Sequence, residues 1–139
     1  MKCKPCFKVK SHSSCQASAL LLVRVVMGVA FLMHGFGKIQ APFNWMGPES
    51  PVPGFLQFLA ALSEFGGGIS LILGLLVPLF SLGLAFTMAV AVYMHAIVKG
   101  DGFVGGYELA AVYLSLSLLF MAVGPGQYSA DHKIFGEKS

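Results

Sequence analysis

Charge is what this sequence has least of. Lysine, arginine, aspartate and glutamate make up only 11% of its 139 residues, whereas a soluble domain carries about a quarter. Too few polar groups remain to solvate a surface, which excludes a water-exposed globular fold. The net charge of +3 is small and mostly local to the first residues. No stacking aromatics alternate with those lysines, so nucleic acid is excluded as a partner. Cysteine is scarce as well. The three, Cys3, Cys6 and Cys15, all lie at the N-terminal end, and an odd number gathered there argues against a disulfide framework. Neither a nucleotide-binding loop nor a flavin fingerprint occurs, and no stretch is polar enough to form a soluble catalytic domain.

What is present is apolar. Hydrophobic residues are 56% of the chain and the mean hydropathy is +0.77. A helix needs about 20 largely apolar residues to cross the hydrocarbon, and four stretches qualify: about 17–38, 55–77, 78–98 and 106–123. The expected fold is therefore all-α, an integral membrane antiparallel four-helix bundle with short connections. Residues 1–16 form a basic, cysteine-containing head, 17–127 the four-span domain and 128–139 a tail. The basic start resembles a signal peptide, but no A-x-A-like cleavage site follows, so the first span is expected to be retained. Spans two and three meet at Pro78, which suits the start of a helix after a tight turn. Phe43 and Trp45, in the one long loop, suit the membrane interface. Lys2, Lys4, Lys8, Lys10, Lys133 and Lys138 flank one face, against Lys38 and Lys99 on the other. The positive-inside rule thus predicts cytoplasmic N- and C-termini.

An ionisable group within a span costs roughly 2.5–3.5 kcal/mol on insertion scales, so each one marks a need. Arg24, Gly28, Phe31, Gly35 and Lys38 recur at steps of four and three, one face of the first helix. Glu64, Gly67, Leu71 and Gly74 form a similar stripe on the second. Glu108, Ala111, Ser115 and Ala122 do so on the fourth, and all three are expected to face inward. Depth places His34, Lys38, Glu64, His95 and Glu108 in the loop-bearing half of the bundle, with Arg24 nearer the other end. The expectation is one polar pocket walled by all four helices. The plain alternatives are that Lys38 and Lys99 snorkel to the interface, that Glu108 favours a helix N-terminus, that the histidines are satisfied core residues, and that Glu64 pairs with Arg24.

The stretches "RVVMGVAFLMHGFGKI", "EFGGGISLILGLLVP", "MAVAVYMHAIVKG", "GGYELAAVYL" and "GPGQYSADH" resemble the DoxX family of small four-span membrane proteins. The resemblance covers most of the chain from Arg24 to Asp131. It implies the four-span fold and a bacterial or archaeal cell membrane, the inner one where there are two. It also implies association with quinol-oxidising or thiosulfate:quinone systems and redox-stress responses. Gln127 stands where the family's tail carries arginine, which puts any role of that cation in doubt here.

Two functional classes follow. In the first, the chain is a quinone-linked redox component or accessory subunit: His34 and His95 bond the quinone carbonyls, and Glu64 and Glu108 carry protons. Lys38 stabilises an oxyanion, and Phe65 and Met94 contact the ring. In the second, it is a scaffold or assembly subunit without a redox cofactor. The lipid bilayer is a partner in both, and other membrane or respiratory subunits are expected. A bis-histidine haem on His34 and His95 is a weaker alternative. Cys3, Cys6, His12 and Cys15 could in principle ligate zinc, but a basic head beside anionic lipid explains the same segment, so no metal site is assigned.

Overall fold

A computed structural model describes residues 12–135. Within them lie helices α1 (Ser14–Gln40), α2 (Gly54–Leu73), α3 (Val77–Tyr93), α4 (Glu108–Val123) and a short α5 (Ala130–Phe135). Beyond Tyr93 the chain of α3 widens into a π-helical segment, Met94–Lys99. A bent turn over Phe103–Tyr107 then leads into α4, broken by the non-helical Val104 and Gly105. Four helices are long and apolar enough to cross a membrane: Ser14–Gln40, Gly54–Leu73, Val77–Lys99 and Phe103–Val123. Four crossings return the chain to the face it left, so the start of α1 and the end of α4 share one face. The loop 41–53 lies on the other.

Local chemistry sets the ends. Ser13 caps α1 in a reciprocal box with Gln16, which satisfies two amide groups that the first turn leaves without helical partners. Gly74 ends α2 in the left-handed conformation, φ 68°, where glycine has no Cβ to clash. The next turn is harder. Leu76, at the N-cap of α3, also has a positive φ of 53°, and its apolar side chain cannot accept from the helix amides. Asp131 supplies the missing acceptor from 55 residues away. Its two carboxylate oxygens accept Leu76 N–H at 2.7 Å and Val77 N–H at 3.0 Å, while its own N–H donates to Gly74 O at 2.8 Å. The tail is thus docked into the α2–α3 turn.

Packing divides the bundle into two close pairs. Along α1 and α2, glycines bring backbone against backbone: a Cβ on Gly35 would lie 2.5 Å from Phe65 N, and one on Gly68 2.6 Å from Leu32 N. Close approach of this kind is how helices associate where no hydrophobic force separates them from lipid. The stripes expected on α1 and α2 do face inward. Arg24, Gly28, Phe31 and Gly35 are buried, as are Glu64, Gly67, Leu71 and Gly74. Across the centre, Met27, Phe31, Leu71, Val77, Leu84, Met88 and Phe120 form one core. Phe31 meets Tyr113 of α4 with ring centroids 4.8 Å apart.

The stripe expected on α4 does not face inward. Glu108, Ser115 and Ala122 are exposed and Ala111 is half-buried, whereas Ser117 and Phe120 are the buried residues. Only 11% of this span's window is buried, against 28%, 39% and 33% for the other three. Small and polar residues signal a helix contact without saying with which surface, and the bulky Phe120 and Tyr113 take the core-facing side.

Removal of the remote cap tests this account of the tail. Asp131→Ala is expected to cost roughly 1–2 kcal/mol in detergent unfolding, as lost caps do, and to expose the 125–135 segment to protease. A variant as stable and as protected as the parent would contradict it.

Candidate functional site

Polar side chains collect at both ends of the bundle. At the terminal end Arg24 is buried and extends towards the tail. It donates to Pro125 O and Tyr128 O, each at 2.6 Å. Hydrocarbon offers no acceptors, so the guanidinium takes backbone carbonyls that the tail's irregular turns leave free. Arg24 therefore does not pair with Glu64. Gln127, where the family pattern has arginine, donates its amide to His12 O at 2.6 Å and ties the start of the described chain to the tail.

At the loop end the structure makes two separate sites. The first joins α1 to α2. Lys38 Nζ lies 2.7 Å from each carboxylate oxygen of Glu64. The Glu64 side chain is 3% exposed and that of Lys38 26%, so the ammonium serves the buried carboxylate and does not simply reach for the interface. Trp45 covers the pair, with Lys38 Nζ 4.4 Å from its ring centroid, a favourable placement for a cation over an indole face. Trp45 is held by Gln57, a buried residue of α2. Gln57 O accepts from the indole N–H at 2.9 Å, its Oε1 accepts from Met46 N–H at 3.0 Å, and its amide donates to Val52 O at 2.9 Å. Phe43 stacks on Phe58 at 5.0 Å. The loop is thus a fixed cover over a buried ion pair, and Gln57, which sequence reasoning passed over, is its fastening.

The second site lies where α3 turns towards α4. His95 Nδ1 and Asp101 Oδ2 are 2.6 Å apart. Asp101 N–H also donates to His95 O at 2.9 Å, so the π-helical end is clamped by side chain and backbone together. Their side chains are 38% and 39% exposed. They line a cleft of about 300 Å³ with Gly102, Val104, Gly105 and Gly106. An ionised Asp101 requires the proton of neutral His95 on Nδ1, which leaves Nε2 as the ring nitrogen available to a ligand. Asp101 was not anticipated. Its signal was a Gly-Asp-Gly turn six residues after a histidine, but the π-helical widening that joins them has no comparable sequence signature.

The residues expected to wall one pocket take different positions among the described residues. The cleft lining contains His95 but none of His34, Lys38, Glu64 or Glu108. His34 is exposed on α1, edge-on to Tyr113 at 6.5 Å, because the buried face of α1 belongs to Phe31 and Gly35. Glu108 is exposed at the start of α4, with no side-chain partner among the described residues. Phe65 is half-buried, 6.5 Å from Phe36, and Met94 precedes His95 on the π-helical segment; neither lines the cleft. Cys3 and Cys6 lie outside the described residues. Among those described, no three His, Cys, Asp or Glu side chains are grouped to hold a metal ion.

The ion pair is open to a direct test. Glu64→Gln leaves Lys38 without its countercharge and is expected to cost roughly 1–3 kcal/mol in detergent unfolding, less than a fully buried pair because Lys38 is partly exposed. Adding Lys38→Met should recover part of that loss, since removing both charges removes the desolvation penalty. A destabilisation that grows in the double variant would contradict the pairing.

Comparison with known proteins places this geometry in a lineage. The family model described as DoxX matches residues 19–96, from α1 through His95 to the middle of the π-helical segment. An uncharacterized protein of Haemophilus influenzae is 33% identical over 121 residues, covering 84% of this chain and 90% of its own. Inner membrane protein YqjF of Escherichia coli is 34% identical over 122 residues, covering 81% and 88%. No solved structure matches. With four apolar spans and a family match over more than half its length, this chain is a multi-pass integral membrane protein that belongs to the DoxX family.

Proposed function

We propose that this protein is a quinone-linked component of a membrane redox system, acting beside an electron-transferring partner, with the His95–Asp101 cleft receiving the quinone head group. The observation that carries the reading is the 2.6 Å His95–Asp101 contact on a cleft of about 300 Å³ at the end of a membrane span. That volume falls at the small end of ligand pockets, roughly 300–1,000 Å³, and suits one substituted ring whose tail runs into lipid. Gly102, Gly105 and Gly106 give low backbone walls that admit a flat ring. Val104, 83% exposed, offers an apolar edge.

A bound quinone would supply the electron chemistry. The protein's own part is proton handling at His95 Nε2. Neutral His95 presents an acceptor there for a quinol hydroxyl, and protonated His95 presents a donor for a quinone carbonyl. Asp101 holds the ring's orientation through the 2.6 Å contact at Nδ1. Lys38, Glu64 and Trp45 hold the adjoining helices and loop in place and need not touch the ligand. His34 and Glu108, assigned roles in a shared pocket on sequence grounds, have none in this arrangement. The lysine distribution supports cytoplasmic termini, and similarity to an inner membrane protein of Escherichia coli supports residence in an inner membrane.

A scaffold without cofactor is the second reading, favoured by the sparse covering of α4. Quinone content separates the two. His95→Ala, purified from native membranes, is expected to retain about tenfold less quinone than the parent, the worth of one charge-assisted hydrogen bond, with unchanged unfolding. Asp101→Asn should show a smaller loss. Absence of quinone from the parent, together with no binding of added short-chain quinone, would leave the scaffold reading standing.

A further inference from the structure

We propose that Gly106 is a positioning residue for the His95–Asp101 pair: the bare backbone at the entry to α4 is the seat that holds Asp101 on His95 Nδ1. Between the two helices the chain doubles back on His95. Gly100, at φ 71°, makes the reversal, and the N–H groups of Gly100 and Asp101 both donate to His95 O. The packing of α4 along α3 then brings Gly106 against Asp101. A Cβ on Gly106 would lie 2.9 Å from Asp101 Cβ, well inside the about 3.5–4.0 Å at which carbon atoms pack. The rings of Phe103 and Tyr107 meet edge-on across the bend, centroids 5.3 Å apart, and brace the seat from behind.

The other glycines of this turn meet different needs. Gly100 and Gly105 have positive φ, 71° and 78°, and a Cβ on either, or on Gly102, would meet nothing within 4 Å. Gly106 has no positive φ, so its missing side chain serves the approach to Asp101 and not a backbone conformation. Asp101 Cβ is the first atom of its side chain and cannot swing aside as a chain end does. A methyl group at position 106 must therefore displace the Asp101 backbone, and the carboxylate moves with it. The 2.6 Å contact with His95 is then lost, and with it the constraint on which ring nitrogen carries the proton. The inference rests on the proposed function only for its consequence, the presentation of Nε2 to a quinone; the seat itself stands without a ligand.

The test is nitrogen-15 NMR of the histidine-labelled full chain in detergent, at a pH where the ring carries one proton. The His95 signals are those lost in His95→Ala. The parent is expected to show the proton on Nδ1, and Gly106→Ala should move it to Nε2 in most molecules. Asp101→Ala should do the same, and the two combined should go no further, because both act through one carboxylate. Gly102→Ala, whose Cβ meets open space at an ordinary φ of −67°, should keep the parent spectrum. A Gly106→Ala spectrum identical to the parent's overturns the proposal, as does an equal change in Gly102→Ala. Should Gly106→Ala fail to fold, adding Asp101→Gly removes the clashing Cβ and is expected to restore folding; failure to restore it also overturns the proposal. Quinone retention by Gly106→Ala should fall by the same factor as in Asp101→Ala. A spectral change in a protein that binds no quinone in any form sinks the quinone reading and leaves the positioning role standing. Lost retention with an unchanged His95 spectrum does the reverse.

Discussion

Hydrocarbon supplies no hydrogen-bond partner, and this chain has almost no soluble portion in which to place its polar groups. Each buried ionisable side chain must therefore find its complement within the bundle, and the helix positions follow from where those complements are. Glu64 is satisfied by Lys38, which ties the last turn of α1 to the middle of α2. The Nη1 and Nη2 groups of Arg24 donate to tail carbonyls. Asp131, on the same tail, satisfies the first amides of α3. The tail is consequently a structural member that joins α1 to the α2–α3 turn. Without it, Arg24 would be left with unmet donors in a medium where each costs several kcal/mol.

This constraint also separates structure from reactivity. The Lys38–Glu64 pair is deep, covered by Trp45 and closed by Gln57, which leaves it little access to a ligand. His95 and Asp101 are joined by a similarly short contact, but lie half-exposed on a cleft walled by glycines. A buried pair of this kind joins two helices. An exposed pair with one ring nitrogen uncommitted is suited to exchanging protons with something that arrives from the membrane.

The sequence made the four spans and the inward stripes of α1 and α2 legible, because glycines and ionisable residues recur there at helical spacing and their partners are other helices of the same chain. It misread α4 because Glu108, Ser115 and Ala122 follow the same spacing without revealing whether the facing surface is internal. It could place five polar groups at one depth but not around one axis. Depth follows from residue number, whereas azimuth depends on how Phe31, Gly35 and Phe120 pack. The Asp131 cap was invisible for a simpler reason. A remote acceptor leaves no local mark on the Leu-Val-Pro turn that needs it.

The central claim is that His95, and not the other membrane histidine, meets the ligand through Nε2. The most direct measurement is nitrogen-15 NMR of the histidine-labelled protein in detergent, titrated with a short-chain quinone. The account predicts that His95 carries a proton on Nδ1 and shows a saturable change at its Nε2 resonance, while His34 stays unchanged. A change at His34 with His95 silent, or a His95 ring protonated on Nε2 alone, would contradict it.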